Sequence, residues 1–221
     1  MRNKFLVFLA IVAVTCWAGV ASADTVYYLT AGNSAISGYT GPYAEVDVAL
    51  TNSTTATITF TSLTNAGNIY LMGATSAVDV NVNATSWTLG TVTGTNAGTG
   101  FTPGSYSNGG SKNADGFGSF NQTIVSFDGF THSADNITFT LTDTSGTWGS
   151  SSNVLTPNTD GNYVAAHIYV TSSPANGGNG AITTGYAASD TPAVVPLDCP
   201  WLLMATSFLV LNGLRWRKKH I

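Results

Sequence analysis

The sequence predicts an all-β domain, a β-sandwich or jelly roll, flanked by an N-terminal signal peptide and a C-terminal transmembrane helix. Three observations lead to this prediction. Apolar and polar residues alternate in the middle of the chain, apolar segments lie beside basic residues at both ends, and charge is scarce throughout. Residues 24–192 contain no sustained period of 3.6 residues, so we expect any helices there to be short.

Five segments of the middle region alternate apolar and polar residues, which is typical of half-buried strands. They are residues 45–50, 56–61, 78–83, 137–142 and 163–170. Sequences rich in Gly, Asn and Asp separate them, and the longest, residues 94–118, is predicted to be mainly turns. Strands that are apolar on one face need a second sheet to cover that face, which favours two packed sheets.

Charge is rare and unevenly placed along the chain. Only 8% of the 221 residues are charged, against roughly 25% in a typical soluble domain. Residues 24–195 contain ten acidic residues and a single base, Lys112, for a net charge of −9. This balance excludes a basic nucleic-acid-binding protein. A hydrophobic content of 43% and an aromatic content of 11% argue against disorder.

The N-terminus has the three parts of a secretory signal. Arg2 and Lys4 precede an apolar stretch over residues 5–20, and Ala21-Ser22-Ala23 supplies the small side chains that a signal peptidase needs. We therefore predict cleavage between Ala23 and Asp24. An uncleaved membrane anchor is the alternative.

The C-terminus repeats these features in the opposite order. Residues 201–214 are uncharged and are followed by a basic cluster, Arg215, Arg217, Lys218 and Lys219. A helix over this stretch would be about 21 Å long, which is marginal for a hydrocarbon core of roughly 30 Å. By the positive-inside rule the basic cluster stays in the cytoplasm, which leaves the middle region outside.

A short motif, Val195-Pro196-Leu197, precedes this apolar segment, and Asn212-Gly213-Leu214 ends it. Motif, apolar segment and basic cluster together resemble the PEP-CTERM sorting signal of Gram-negative bacteria, in its Val-Pro-Leu-Pro-Ala variant, over the last 27 residues. The sequence departs from the variant at Asp198-Cys199, where Pro-Ala would stand. An ordinary C-terminal anchor is the alternative.

The resemblance implies a place for the protein in the cell. Such tails hold an exported protein in the inner membrane until the membrane enzyme exosortase cuts near the proline motif. The protein is then released towards the cell surface and its exopolysaccharide.

The chain is accordingly predicted to have four parts. They are a signal peptide (residues 1–23), a β-sandwich domain (24–171), a flexible linker rich in Gly, Ala, Ser and Asn (172–193), and a sorting signal with a transmembrane helix and basic tail (194–221). Residues 24–198 contain no cysteine. The domain must therefore be stabilised without disulfides.

The sequence offers little catalytic chemistry. It lacks the Gly-x-Ser-x-Gly, Ser-x-x-Lys, His-Glu-x-x-His and Cys-x-x-Cys motifs. Glu45 and Asp47 share a strand face about 7 Å apart, so they could be considered a carboxylate pair for glycoside hydrolysis. Such pairs usually come from different elements across a cleft, and a solvated strand edge explains these two better.

Asp79-x-Asn81-x-Asn83 begins like a calcium-binding loop. Ala84 and Gly90, however, occupy the positions at which the loop needs glycine and a bidentate glutamate. Strand alternation explains the pattern better, and we predict no metal and no cofactor. A calcium ion held between loops is the alternative left open by the aspartates in or near turns, namely Asp115, Asp128, Asp135, Asp143 and Asp160.

His132 and His167 are too few for a metal cluster, and His167 is predicted to be a partly covered side chain on a strand face. Several aromatic residues could stack on sugar rings, although they could equally fill strand faces and cover glycine-rich turns. They are Tyr27, Tyr28, Tyr39, Tyr43, Tyr106, Trp87 and Trp148.

These features together predict an exported, exosortase-sorted protein of the cell surface or extracellular matrix, without enzymatic activity, that associates with carbohydrate. The expected partners are signal peptidase, an exosortase-like enzyme, the inner membrane and exopolysaccharide. Two alternatives remain open: a permanently anchored structural domain and a secreted glycan hydrolase.

Overall fold

The computed structural model describes residues 23–194, which form fifteen β-strands and three single-turn 3₁₀ helices. The strands make two antiparallel sheets in a β-sandwich-like arrangement, so the predicted all-β class is confirmed. The predicted signal peptide, apart from Ala23, and the predicted C-terminal helix lie outside the described residues. Within residues 23–194, no helix has the length and apolar character needed to cross a membrane.

Sheet A has seven strands in the order β15-β1-β3-β4-β12, with β8 and β9 both pairing with the far side of β12. Its strands are β1 (Thr25–Tyr28), β3 (Ala44–Asn52), β4 (Thr55–Ser62), β8 (Trp87–Leu89), β9 (Thr93–Thr95), β12 (Asn136–Asp143) and β15 (Pro192–Val194).

Sheet B has eight strands in the order β10-β11-β7-β13-β14-β2, with β6 beside β7 on the same side of β13 and β5 pairing with β6. Its strands are β2 (Ala31–Gly32), β5 (Thr64–Asn65), β6 (Asn68–Met72), β7 (Val78–Val80), β10 (Tyr106–Ala114), β11 (Gly118–Ser126), β13 (Val164–Ser172) and β14 (Thr183–Ser189). The 3₁₀ helices are Ala74–Ser76, Phe130–His132 and Ser151–Asn153.

The inner faces of the two sheets share one apolar core. Phe60 of β4 stacks on Phe139 of β12 with ring centroids 6.3 Å apart, and both are buried. Ile168 and Val170 of β13 belong to the same cluster from the other sheet. Burying each such side chain contributes roughly 1.5–3 kcal/mol, which is the main source of stability in a domain without disulfides.

The alternation in the sequence predicts most of the central strands correctly. Residues 45–50, 56–61 and 137–142 lie within β3, β4 and β12, and their apolar positions point inward. The segment 78–83 is a strand only as far as Val80, and Val82 makes an isolated bridge to Leu155.

The prediction that residues 94–118 are mainly turns is wrong for β10, which has nine residues. β10 pairs with β11 as a hairpin, with register shifts on both sides of Gly110. Glycine and asparagine have low strand propensity, but the backbone pairing with β11 and the bulges overcome it.

The predicted linker over residues 172–193 is also wrong for its second half, which forms β14 and β15. β14 packs closely against its neighbours because its side chains are small. Ala187 is buried in the core. At Gly185, a Cβ atom would lie 2.5 Å from Asn33 and 2.9 Å from Ile36. The low-complexity composition therefore reflects close packing, and the folded domain extends to Val194.

We predict that Phe139→Ala destabilises the domain by about 3–5 kcal/mol, because it removes a buried ring and leaves a cavity in the shared core. Urea unfolding of residues 24–194 measures the change. Thr140→Ala, on the outer face of the same strand, is the control and should cost no more than about 1 kcal/mol. Equal effects of the two substitutions would contradict a core between the sheets.

Candidate functional site

The predicted processing residues fall mostly outside the described part of the chain. Ala23 and Asp24 are described and lie directly before β1. Ala21, the motif Val195-Pro196-Leu197 and the basic cluster Arg215, Arg217, Lys218 and Lys219 lie outside the described residues, so the structure leaves their predicted functions untested.

The two ends of the domain lie side by side. β1 and β15 pair antiparallel, with Thr25 opposite Val194, Val26 opposite Ala193 and Tyr27 opposite Pro192. The start of β1 therefore lies at the same end of sheet A as the end of β15. We call this end, residues 23–25 and 192–194 with Ser151, the terminal pole.

Buried hydroxyl groups hold the start of β1 in place. Thr25 is fully buried, and its Oγ1 lies 2.8 Å from Oγ of Ser151. The Ser151 hydroxyl donates a hydrogen bond to the carbonyl oxygen of Ala23. These contacts connect the 3₁₀ helix Ser151–Asn153 to the predicted signal cleavage site.

Glu45 and Asp47 lie on the outer face of β3, opposite Tyr28 and Val26 of β1. β3 pairs with both β1 and β4, so the two carboxylates are not on a sheet edge and that part of the sequence interpretation is wrong. Partial burial, followed by the nearby charges of Asp24 and Glu45, raises the pKa of Asp47. Both carboxylates lie on one strand, whereas glycosidase pairs usually come from different elements across a cleft.

Threonines cover the outer face of sheet A on β4, β8, β9 and β12. Thr59 lies opposite Thr138 with their hydroxyl oxygens 3.2 Å apart, and Thr55 lies opposite Thr142 at 3.3 Å. We call this surface the threonine face. It comprises Thr55, Thr57, Thr59, Thr61, Thr88, Thr93, Thr95, Thr138, Thr140 and Thr142.

The threonine face presents hydroxyl and methyl groups. The outward residues of β4 and β12 are threonines and Asn136, none of which ionises. All are at least partly exposed. Acids border the face, because Asp47 lies opposite Thr59, Glu45 lies opposite Thr61, and Asp135 accepts the Thr95 hydroxyl. Such a surface can hydrogen-bond neutral hydroxyl groups but offers no positive charge to an anionic ligand.

Among the described acids, Asp79 has the pKa that departs furthest from its ordinary value. It lies on the outer face of β7, fully buried, and its Oδ1 accepts hydrogen bonds from the hydroxyls of Ser76 (3.0 Å) and Thr123 (2.5 Å). Its Oδ2 has no hydrogen-bond partner. Burial raises the pKa of Asp79 to about 7, although the two hydroxyls and Lys112 act in the opposite direction.

The strand interpretation of the calcium-like motif is confirmed for Asp79, which lies in β7. The other two residues point to different partners, because the amide of Asn81 donates to the carbonyl of Thr156 and that of Asn83 to the carbonyl of Asn153. Within residues 23–194, no three His, Cys, Asp or Glu residues are grouped closely enough to hold a metal ion.

Two of the aspartates in or near turns, Asp143 and Asp135, accept hydrogen bonds from backbone and hydroxyl groups. Oδ1 of Asp143 accepts the backbone N–H groups of Ser145 and Gly146, and these donors together with the Ser145 hydroxyl lower its pKa. Asp135 accepts the N–H of Ala97 and the hydroxyl of Thr95.

Asp143 lines an open cleft of about 690 Å³ together with Asn83, Thr85, Trp148 and Asn153. The indole N–H of Trp148 donates to the Asn83 carbonyl at 2.8 Å, which fixes the ring in the wall. The cleft offers one carboxylate among amides and hydroxyls. It can hydrogen-bond a polar ligand, but no histidine, cysteine or second carboxylate lines it.

A row of aromatic rings crosses the outer face of sheet B. Phe101, Phe130, Tyr169, His167 and Tyr186 follow one another with ring centroids 5.0–5.9 Å apart, and every contact is edge-to-face. Rings packed in this way cover one another and form no flat platform for sugars. His167 is half-buried as predicted, and burial lowers its pKa.

The aromatic residues singled out for sugar stacking mostly fill the core instead. Tyr27, Tyr43 and Trp148 are no more than 3% exposed, so their faces are closed to a ligand. Of the seven, Tyr28 has the largest exposure, at 40%. The packing alternative is therefore correct for the buried members.

We predict that Asp79→Asn stabilises the domain in alkaline solution but not in acid. The folded-state pKa of about 7 lies above the ordinary 3.8, so the folded state keeps a proton that the unfolded chain releases. The stabilisation of the folded state by this bound proton is complete below about pH 4 and is lost as the pH rises through about 7. The variant should gain up to about 4 kcal/mol at pH 8.5, at roughly 1.4 kcal/mol per pKa unit.

Urea unfolding of residues 24–194 at pH 4 and pH 8.5 measures this difference. Asp160→Asn, which removes an exposed turn carboxylate, is the control for the loss of one charge. Parallel pH profiles for wild type and Asp79→Asn would contradict the prediction.

No family model, no curated protein and no solved structure matches this chain.

Proposed function

We propose that this chain is an exported protein of the cell surface or extracellular matrix, sorted by an exosortase-like enzyme and without enzymatic activity of its own. The observation that carries the proposal is the order of elements in the tail: Val195-Pro196-Leu197, the apolar residues 201–214, and the basic cluster that starts at Arg215. In this proposal the tail is the substrate of the sorting enzyme. Signal peptidase and the inner membrane are the other partners.

The folded domain supports this proposal through its position in the chain. Its first described strand begins at Thr25, next to the predicted cleavage site, and its last described strand, β15, includes Val194, the residue before the motif in the sequence. Cleavage at both predicted sites would therefore keep every described strand in the released chain. The finer division into signal peptide, sandwich domain and sorting tail belongs to the same proposal.

Association with a neutral polysaccharide is the second part of the proposal. The threonine face supports it, because its hydroxyl groups match the hydrogen bonding of sugars and it offers no positive charge to an anionic polymer. The acidic balance of residues 24–195 also disfavours anionic ligands.

We predict that the protein recovered from the cell surface starts at Asp24 and lacks Trp216–Ile221, as measured by intact mass. Pro196→Ala should leave the chain at full length in the inner membrane, because it removes the proline of the motif. Pro200→Ala, four residues further on, is the matched control and should be processed like wild type. A surface protein that retains its tail would instead identify a permanent anchor.

We also predict that the released protein is retained on a neutral polysaccharide without cleaving it. Retention and the release of reducing ends are measured on one panel of neutral and anionic glycans. Thr59→Asp with Thr138→Asp should weaken retention about tenfold by placing charge on the threonine face, whereas the exposed turn variant Thr159→Asp should not. Release of reducing ends that Glu45→Gln abolishes would identify a hydrolase and contradict the proposal.

A further inference from the structure

We propose that the open cleft lined by Asp143 and Trp148, the Trp148 cleft, binds a single neutral sugar residue, with Asp143 accepting a hydrogen bond from one of its hydroxyl groups. The inference goes beyond the proposed function, which assigns contact with a polysaccharide to the threonine face on sheet A. The two surfaces have different residues, so each can be tested while the other is intact.

The cleft lies where the shared core ends. Asp143 is the last residue of β12 and takes the next inward position after Leu141. Trp148, which belongs to the core, lines the cleft beside it. An acid therefore stands where the alternation of the strand would otherwise place an apolar residue.

The walls of the cleft come from three segments of chain that are bonded to one another. The backbone N–H of Asn83 donates to the carbonyl of Val154, and its side-chain amide donates to the carbonyl of Asn153, both at 2.9 Å. The carbonyl of Asn83 accepts the indole N–H of Trp148 at 2.8 Å. The walls are thus fixed before a ligand arrives, which lowers the entropy cost of binding.

The two oxygens of Asp143 differ in what they bind. Oδ1 accepts the backbone N–H groups of Ser145 and Gly146 and the hydroxyl of Ser145. These donors lower the pKa of Asp143, so the carboxylate is ionised at neutral pH. Only 7% of the residue is exposed, and Oδ2 has no hydrogen-bond donor among the described residues. Oδ2 is therefore the acceptor that the cleft offers to a hydroxyl group of a ligand.

The other lining residues indicate the class of ligand. Thr147 and Thr156 contribute hydroxyl groups and Asn153 an amide, which donate and accept hydrogen bonds as sugar hydroxyls do. The apolar residues Val82 and Trp148 are no more than 3% exposed, so they offer little contact to an apolar ligand. No lysine, arginine or histidine lines the cleft, which disfavours an anionic sugar beside the carboxylate.

The size of the cleft favours a sugar ring over a metal ion. Its volume of about 690 Å³ lies within the range of small-molecule sites, roughly 300–1,000 Å³. A calcium ion takes about six to eight oxygen ligands at roughly 2.3–2.6 Å. The cleft supplies one carboxylate, and its walls are too far apart to surround an ion closely.

Nuclear magnetic resonance tests the site in the full chain, purified in a detergent without a sugar head group. The readout is the indole N–H signal of Trp148, assigned by its absence from the spectrum of Trp148→Phe. The neutral probes are D-glucose, D-galactose and D-mannose, and the charged probes are D-glucuronate and calcium chloride. Each is added up to about 100 mM, which saturates even a site with a millimolar Kd.

Asp143→Asn is the central variant. The asparagine oxygen can still accept the N–H groups of Ser145 and Gly146, while its NH₂ group replaces the free acceptor Oδ2 with a donor. Asp135→Asn removes a carboxylate outside the cleft that also accepts backbone and hydroxyl donors, so it is the matched control.

Gly149→Leu fills the cleft without changing any charge. A Cβ atom at Gly149 would lie 3.5 Å from Oδ1 of Asn153, an ordinary contact, so the added side chain can be accommodated beside the lining residues. This variant tests the cleft independently of the turn that Asp143 stabilises.

We expect at least one neutral hexose to shift the Trp148 signal and to saturate it. Asp143→Asn and Gly149→Leu should each weaken this binding at least about tenfold, because they remove the charged acceptor or the space, whereas Asp135→Asn should bind like wild type. Thr59→Asp with Thr138→Asp should also bind the hexose like wild type, which separates the cleft from the threonine face.

Three outcomes overturn the proposal. They are the absence of a saturable shift with any neutral hexose, hexose binding that persists in both cleft variants, and a shift that calcium chloride produces and the hexoses do not. Retention of the same wild-type chain on a neutral polysaccharide in any of these cases would leave the proposed function standing.

Discussion

The pairing of β13 on both of its edges is the constraint on which the rest of the structure depends. β14 lies along one edge, while β6 and β7 share the other. The inward residues of β13, such as Ile168, fill the shared core, and its outward residues His167 and Tyr169 form part of the aromatic row. A shift of register by one residue would exchange these two sets, so one strand determines both the core and the covered outer face.

The alternation of apolar and polar residues predicts where most central strands lie. It does not predict which distant residues pack around them. The alternation in residues 137–142 is enough to predict β12 and its inward side chains. The burial of Asp79 is not predictable in this way, because it depends on Thr123 of β11, which is 44 residues away in sequence. The composition of residues 172–193 suggests a spacer for a similar reason: alanine and glycine are typical of linkers, and only the position of Asn33 and Ile36 makes Gly185 a packing residue.

The scarcity of charge has different consequences on the two outer faces. On sheet A it leaves hydroxyl groups to solvate the surface, and they hydrogen-bond across β4 and β12. On sheet B one carboxylate, Asp79, is buried under hydroxyl partners instead of an ion pair. Burial of a charge without an opposite charge is costly, which raises the pKa of Asp79 to about 7. The described residues hold a single base, Lys112, so few other ways exist to accommodate a buried acid.

The terminal pole brings the two ends of the described chain together. β1 is the first described strand and β15 the last, yet they are neighbours in sheet A. In a chain that crosses the membrane from its N-terminus, β1 emerges first and its outer edge stays unpaired until residues 192–194 arrive. Closing so long a loop is slow compared with forming local hairpins such as β3–β4. Under the proposed function, sheet A can therefore be completed only after residues 192–194, which precede the tail, have crossed the membrane.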